Sequence, residues 1–159
     1  MEPLLKILKN KATYSISELA ALSGQSEQAV AEEMQALEAS GQLLGYHAVV
    51  NPDQEDEPYV SAFIEVKVSL DRNSGFDRLA SRIAQFDQVR NCYLASGGYD
   101  LLLMVEGKDL QSVARFVSEK LSTLEGVLST ATHFRLKTYK ENSVMFNREG
   151  DSERLSVTP

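Results

Sequence analysis

The sequence predicts an α+β protein in two halves, a helical N-terminal half and a C-terminal half of βαββαβ order. Three observations predict it. Apolar residues recur at helical spacing up to about residue 41. From residue 59 they alternate with a period of two, interrupted by two helical stretches. Between the halves, "NPDQEDEP" (Asn51 to Pro58) packs two prolines and four acids into eight residues, which makes a linker.

In the first half, "PLLKILKN" places Leu4, Leu5 and Leu8 at helical spacing, with Pro3 suited to a first turn. "SISELAALSG" follows, with Ser17 as the expected cap, Leu19, Ala20 and Leu22 along the helix, and Gly24 ending it. In "SEQAVAEEMQALEASG", Ser26 is the expected N-cap. Val30, Met34 and Leu37 share one face, and Gly41 terminates the helix. "QLLGYHAVVN" leans toward β structure, with Gly45 available for a turn. Two short helices joined by a tight turn and followed by an extended segment outline a winged helix-turn-helix. That domain is expected over residues 1–50, with the linker at 51–58.

In the second half, "YVSAFIEVKVSL" puts Val60, Ala62, Ile64, Val66, Val68 and Leu70 on one face by alternation. "SGFDRLASRIAQF" offers Ser74 as a cap and Phe76, Leu79, Ile83 and Phe86 as a helical face. "VRNCYLASGGYDLLLMVEG" reads as two strands joined around Gly97 and Gly98. "DLQSVARFVSEKLSTLEG" is a helix capped by Asp109, with Val113, Val117 and Leu124 inward and Gly126 at its end. "LSTATHFRLKTYK" is a last strand in which Thr130, Thr132, Phe134 and Leu136 alternate. This order is the ferredoxin-like split βαβ, expected over 59–146, with a loose tail at 147–159. The two helices should cover one sheet face. The other is expected to carry Phe63, Cys92 and Leu94, too apolar for water, so a homodimer built through this half is expected.

Charge bounds the function. The net charge is −7, with −3 in residues 1–52 and −4 in the remainder. Neither half has the basic excess of a tight nucleic-acid binder. The single cysteine, Cys92, excludes an internal disulfide and fits a reducing cytoplasm. It lies in an alternating strand and is read as packed. No apolar run reaches the roughly 18 residues of a membrane span, and "MEPLLKILKNK" lacks the positive region of a secretion signal.

The plan to about residue 146 resembles the leucine-responsive regulatory protein family (Lrp/AsnC) of transcription regulators. "SISELAALSGQSEQAV" is similar to its helix-turn-helix, and "ALEASGQLLGYHAVVNP" to its junction into the linker. "ASGGYDLLLMVEGKDLQSVARFV" and "GVLSTATHFRLKTYK" are similar to its effector domain. The resemblance implies dimers that associate further, into tetramers or octamers. It also implies a small effector, commonly an amino acid, bound where effector domains of different dimers meet. Carried over by position, Gly97, Gly98, Tyr99 and Asp100 would line that site with Thr130 and Thr132. The chemistry fits: glycines let backbone N–H groups approach a ligand carboxylate. Asp100 can pair with an ammonium, and threonine hydroxyls donate or accept. The same turn also reads as a tight hairpin in which Asp100 bonds backbone. The two readings are compatible.

The helix from Ser26 is the expected DNA reader, yet it carries four glutamates and no lysine or arginine. Glu33 stands where the family commonly has arginine. Phosphate contacts from basic residues supply most nonspecific affinity, so two readings compete. In one the acids are a solvated face and DNA binding is lost, leaving a metabolite-sensing oligomer or adaptor. In the other, Gln25, Ser26, Gln28, Ala29, Glu32 and Gln35 line the contact. Gln28 or Gln35 pairs with adenine, the helix N-terminus holds a phosphate, and Lys9 and Lys11 reach the backbone. Binding is then weak per site, very salt-sensitive, and multiplied by oligomerisation.

Enzymatic chemistry is not expected. His47 and His133 are far apart, and no Cys/His cluster has metal-ligand spacing. No P-loop, dinucleotide-binding glycine pattern or nucleophile elbow occurs. His47 borders the wing. His133 shares a face with Arg135 and Lys137, and "DQEDE" reads as a solvated spacer. No metal, cofactor or catalytic residue is assigned.

Overall fold

The computed structural model describes residues 3–54, 57, 59–69 and 75–146. The chain divides into two compact units, Met1–Val49 with Lys140–Met145, and Val50–Tyr139 with Phe146–Pro159. The expected tail, the cap at Ser74 and the inward Leu70 lie outside the described residues.

The first unit holds α1 (Leu4–Asn10), α2 (Ile16–Ser23) and α3 (Glu27–Ala39). Leu4, Ile7, Leu8, Leu19, Ala20, Val30 and Leu37 form its core, with Leu5, Tyr14, Met34 and Leu43 packed against it. The cap of α2 is Ser15, not the expected Ser17. Ser15 Oγ accepts from Glu18 N–H at 3.2 Å, and Glu18 Oε2 accepts from Ser15 N–H at 2.7 Å. This is the reciprocal Ser-x-x-Glu box, which Ser17 cannot make because Ala20 stands three residues on. Gly24 closes α2 at φ 70°, a left-handed conformation that favours glycine. Residues 43–50 form no strand, so the expected wing is not built as a ladder. Leu44 is 92% exposed there. A β-prone sequence forms a strand only where a partner supplies hydrogen bonds. A hairpin of β5 (Lys140–Glu141) and β6 (Val144–Met145) belongs to this unit. Its turn places Asn142 and Ser143 at φ 44° and 69°.

The second unit runs β1 (Val60–Val68), α4 (Gly75–Ala84), β2 (Val89–Leu94), β3 (Leu101–Gly107), α5 (Leu110–Phe116) and β4 (Val127–Phe134). The antiparallel sheet has the order β2-β3-β1-β4. Register sets its two faces, because opposed residues in antiparallel strands point the same way. Ala62, Ile64 and Val66 oppose Val105, Leu103 and Leu101 on one side, and Phe134, Thr132 and Thr130 on the other. This is the helix-covered face. Its core joins those β1 and β3 residues to Leu79 and Ile83 of α4, to Val113 and Phe116 of α5, and to Leu121 and Leu124 beyond it. After Phe116 the helix widens into a π turn, Val117–Leu121, and Ser122 N–H bonds Val117 O. Phe116 already shares the inward face with Val113, and the extra residue carries that face on from Phe116 to Leu121, which leaves the expected Val117 only half-buried. Gly107, at the end of β3, is required by close approach, since a Cβ there would lie 2.6 Å from Ser112 Oγ.

Phe63 opposes Met104 and His133 on the other face, and Leu102 opposes Glu65 and Tyr93. Phe63 lies on this open face as expected. Cys92 and Leu94 do not. Cys92 opposes Leu103 and Leu94 opposes Leu101, so both belong to the covered side. Leu94 is nonetheless 70% exposed at the end of edge strand β2. The strand ends at Phe134, which leaves the expected alternation at Leu136 outside the sheet and Leu136 exposed.

Candidate functional site

Each unit carries one group of candidate residues. In the helical unit, α2 and α3 are joined by Gly24 and Gln25, whose N–H groups both bond Ala20 O. Ser26 caps α3, its Oγ accepting from Ala29 N–H at 3.2 Å. Val30 and Leu37 anchor the inner face. The outer face exposes Ser26, Glu27, Gln28, Ala29, Glu32 and Gln35. Gln28 Nε2 donates to Glu32 Oε1 at 3.0 Å, so one carboxylate of this face is already engaged. Gln25 differs from its neighbours. Its side chain is half-buried and its Nε2 donates to Glu33 Oε2 at 2.9 Å. Lys9 is exposed in the last turn of α1. Lys11 caps that helix, and its ammonium lies 4.5 Å from the centre of the Tyr14 ring. The sequence signal for a reader helix was the cap and the apolar spacing. Nothing in it marked the Gln25–Glu33 bond.

In the sheet unit, the turn between β2 and β3 holds Gly97, Gly98, Tyr99 and Asp100. The two glycines are exposed with open space around them. Asp100 closes the turn by three bonds. Its N–H donates to Val66 O at 2.9 Å, its carbonyl accepts from Ala95 N–H at 2.9 Å, and its Oδ2 accepts from Val68 N–H at 2.8 Å. The last bond falls just beyond the final β1–β3 pair, Val66 with Leu101, and supplies an acceptor that this ladder no longer provides there. Thr130 opposes Val66, so it stands at the same end of the sheet as Asp100, one strand away. Thr132 lies one step further, opposite Ile64. Both are half-buried on the covered side. Val68, 32 residues from Asp100, was not legible as its partner.

On the open face His133 Nε2 lies 3.5 Å from Glu65 Oε1. Arg135 donates to Ser61 Oγ at 2.9 Å and to the Tyr59 hydroxyl. Arg90 pairs with Glu106. Cys92 Sγ contacts Ala80 O at 3.9 Å, and burial raises its thiol pKa, which suits packing rather than reactivity. Among the described residues no group of three His, Cys, Asp or Glu is placed to hold a metal ion. None of their helices is long and apolar enough to cross a membrane.

A compact helix-turn-helix unit in one chain with a βαββαβ sheet unit is the plan of a transcription regulator with a separate sensing domain. The comparisons agree. Residues 61–145 match the model of the Lrp/AsnC ligand binding domain. An HTH-type transcriptional regulator of Bacillus subtilis, YugG, is 38% identical across 98% of this chain and 95% of its own length. The leucine-responsive regulatory protein of Klebsiella pneumoniae is 26% identical across 88% of this chain and 85% of its own. Among solved structures, the leucine response regulatory protein of Mycobacterium tuberculosis superposes with a TM-score of 0.72 at 25% identity, covering 87% of this chain and 92% of that one. A Neisseria meningitidis regulator solved in complex with L-Met gives 0.66 at 24% identity, covering 87% and 88%. The chain belongs to the Lrp/AsnC family. It is a transcription regulator with a ligand-binding C-terminal domain, and not an enzyme.

Proposed function

We propose that residues 1–50 contact DNA and that residues 59–146 bind an amino acid or related metabolite and hold copies of the chain together. Residues 51–58 connect the two. The DNA contact is the outer face of α3 (Ser26, Gln28, Ala29, Glu32 and Gln35), with Lys9 and Lys11 on the phosphate backbone and Gln25 beside it. The effector contacts are Gly97, Gly98, Tyr99, Asp100, Thr130 and Thr132. The glycine N–H groups meet its carboxylate, and Asp100 keeps one carboxylate oxygen beyond its bond to Val68 to meet its ammonium. The L-Met complex of the neisserial protein supports an amino acid as the ligand class. The working form is a homodimer that assembles to a tetramer or octamer in a reducing cytoplasm.

The observation that carries this reading is the open sheet face. Phe63 is 39% and Tyr93 56% exposed, beside half-buried Leu102 and Met104. An apolar patch of this kind marks an interface. An effector changes the outcome only if it binds one assembly state better than another, and a site completed by association meets that condition. Sedimentation of the full chain, with and without each common amino acid, tests it. A dimer at the lowest concentration and a shift in assembly with at least one amino acid are expected. A monomer at all concentrations would overturn the reading.

A second reading is a metabolite-sensing adaptor without DNA contact. The exposed Glu27, Glu32 and Glu38 of α3, with no base on that helix, favour it. An anisotropy titration against its own upstream DNA at low salt separates the two. Binding that weakens steeply with salt supports the regulator, and no binding supports the adaptor.

A further inference from the structure

Gln25 stands just ahead of the Ser26 cap, and its N–H is bonded to Ala20 O at 3.1 Å, so α2 fixes its main chain. Its side chain sits at a turn with water within reach and is nonetheless folded in. Nε2 donates to Glu33 Oε2 at 2.9 Å, across eight residues. A carboxylate only accepts, so the amide must present its nitrogen to Glu33. That orientation buries Gln25 Oε1, which has no hydrogen-bond partner among the described residues. A buried carbonyl oxygen without a donor is costly. The side chain would escape that cost by swinging into water, so the charge-assisted bond to Glu33 is strong enough to hold it. Glu33 itself is half-buried, set apart from the exposed Glu32 beside it.

We propose that Glu33 is a positioning residue: through its bond to Gln25 it locks the α2–α3 turn and sets the direction in which the amino end of α3 presents Ser26, Gln28 and Ala29. This rests on the reading of α3 as the DNA contact. Glu33 itself does not touch DNA in this reading. Glu33 acts through Gln25, and its charge is turned into the module rather than toward phosphate. Sequence discrimination therefore depends on it, while gross affinity does not.

The test uses the full chain and two duplexes, the tightest 20-bp sequence that the wild type selects from a random pool at low salt and a shuffled version of it. The readout is the ratio of the two dissociation constants, in which a uniform change of charge cancels. Glu33→Gln keeps an acceptor for Gln25 Nε2 but loses the charge, so its ratio should fall between those of wild type and Glu33→Ala. Glu33→Ala and Gln25→Ala should each lower the ratio about three- to tenfold, the range expected for one such bond. The double variant should lower it no further, because both changes remove the same bond. If Glu33→Ala fails to fold, Gln25→Ala beside Glu33→Gln decides. A ratio unchanged in Glu33→Ala, or losses that add in the double variant, overturns the proposal. A wild type that selects no duplex removes the DNA reading and the proposal with it. That outcome is distinct from a wild type and a Glu33→Ala variant that discriminate equally.

Discussion

The two faces of the four-stranded sheet come from the same strands, one residue out of phase, and they differ in chemistry. The covered face is uniformly apolar on its two central strands, where Ala62, Ile64, Val66, Leu101, Leu103 and Val105 are all essentially without exposure. The open face mixes Phe63, Tyr93, Leu102 and Met104 with Glu65, His133 and the Arg90–Glu106 pair. A core must exclude water. A surface that meets a partner must also remain tolerable alone, so its apolar residues are diluted with charge. The difference teaches which face makes the fold and which the proposed association would use.

The comparison breaks most visibly at Leu103. Leu103→Ala should cost about 2–5 kcal/mol, through lost transfer energy and a cavity between β3 and its helices, as a lower urea midpoint would record. Its neighbour across the strand, Leu102, should behave oppositely. Leu102→Asp should cost the isolated chain only about 1 kcal/mol, by setting a carboxylate opposite Glu65 on a central strand. It should weaken self-association about a hundredfold by placing a charge in a desolvated contact. Sedimentation at several concentrations measures that, and undiminished association would move the interface elsewhere.

Asp100 joins the ends of the strands that carry both faces. Asp100→Ala strips Val68 N–H of its acceptor and should cost about 1–2 kcal/mol. Amide exchange at Val68 should quicken more than at Ile64. His133→Ala should change stability by less than about 0.5 kcal/mol, because its pairing with Glu65 is largely exposed. The smallest effect concerns caps. Bonds from the Ser112 backbone and side chain hold the Asp109 carboxyl below its ordinary range, and those from Ser15 do the same for Glu18. Carboxyls lowered in the folded state stabilise it above their unfolded pKa, near pH 4. That contribution is lost as pH falls through the lowered values. Melting below pH 4 should therefore be slightly less acid-sensitive in Asp109→Asn than in wild type.

Element order was legible because it rests on period. The alternation of Val60 to Val68 and the caps at Ser26 and Asp109 each express a local rule. The cap of α2 was missed at Ser15, although the Ser-x-x-Glu spacing to Glu18 marks it and Ser17 has Ala20 three residues on. Facing was harder. The register shift between Val89 and Asn91 fixes the side of Cys92, and period alone does not reveal it. The π turn after Phe116 displaces the apolar stripe by one residue, so Val117 gave way to Phe116 and Leu121. Of the candidate sites, the turn residues were legible from their glycines. The bonds of Asp100 to Val68 and of Gln25 to Glu33 were not, because they join residues that only the folded chain brings together.

The hairpin at Lys140–Met145 belongs to the unit that begins the chain. The helical module is therefore discontinuous, its last piece emerging from the ribosome after the whole sheet has been made. No single cut yields both modules entire, since a fragment stopping at Val49 lacks the hairpin. During synthesis the first unit is completed only after the four-stranded sheet of the second already has all its strands.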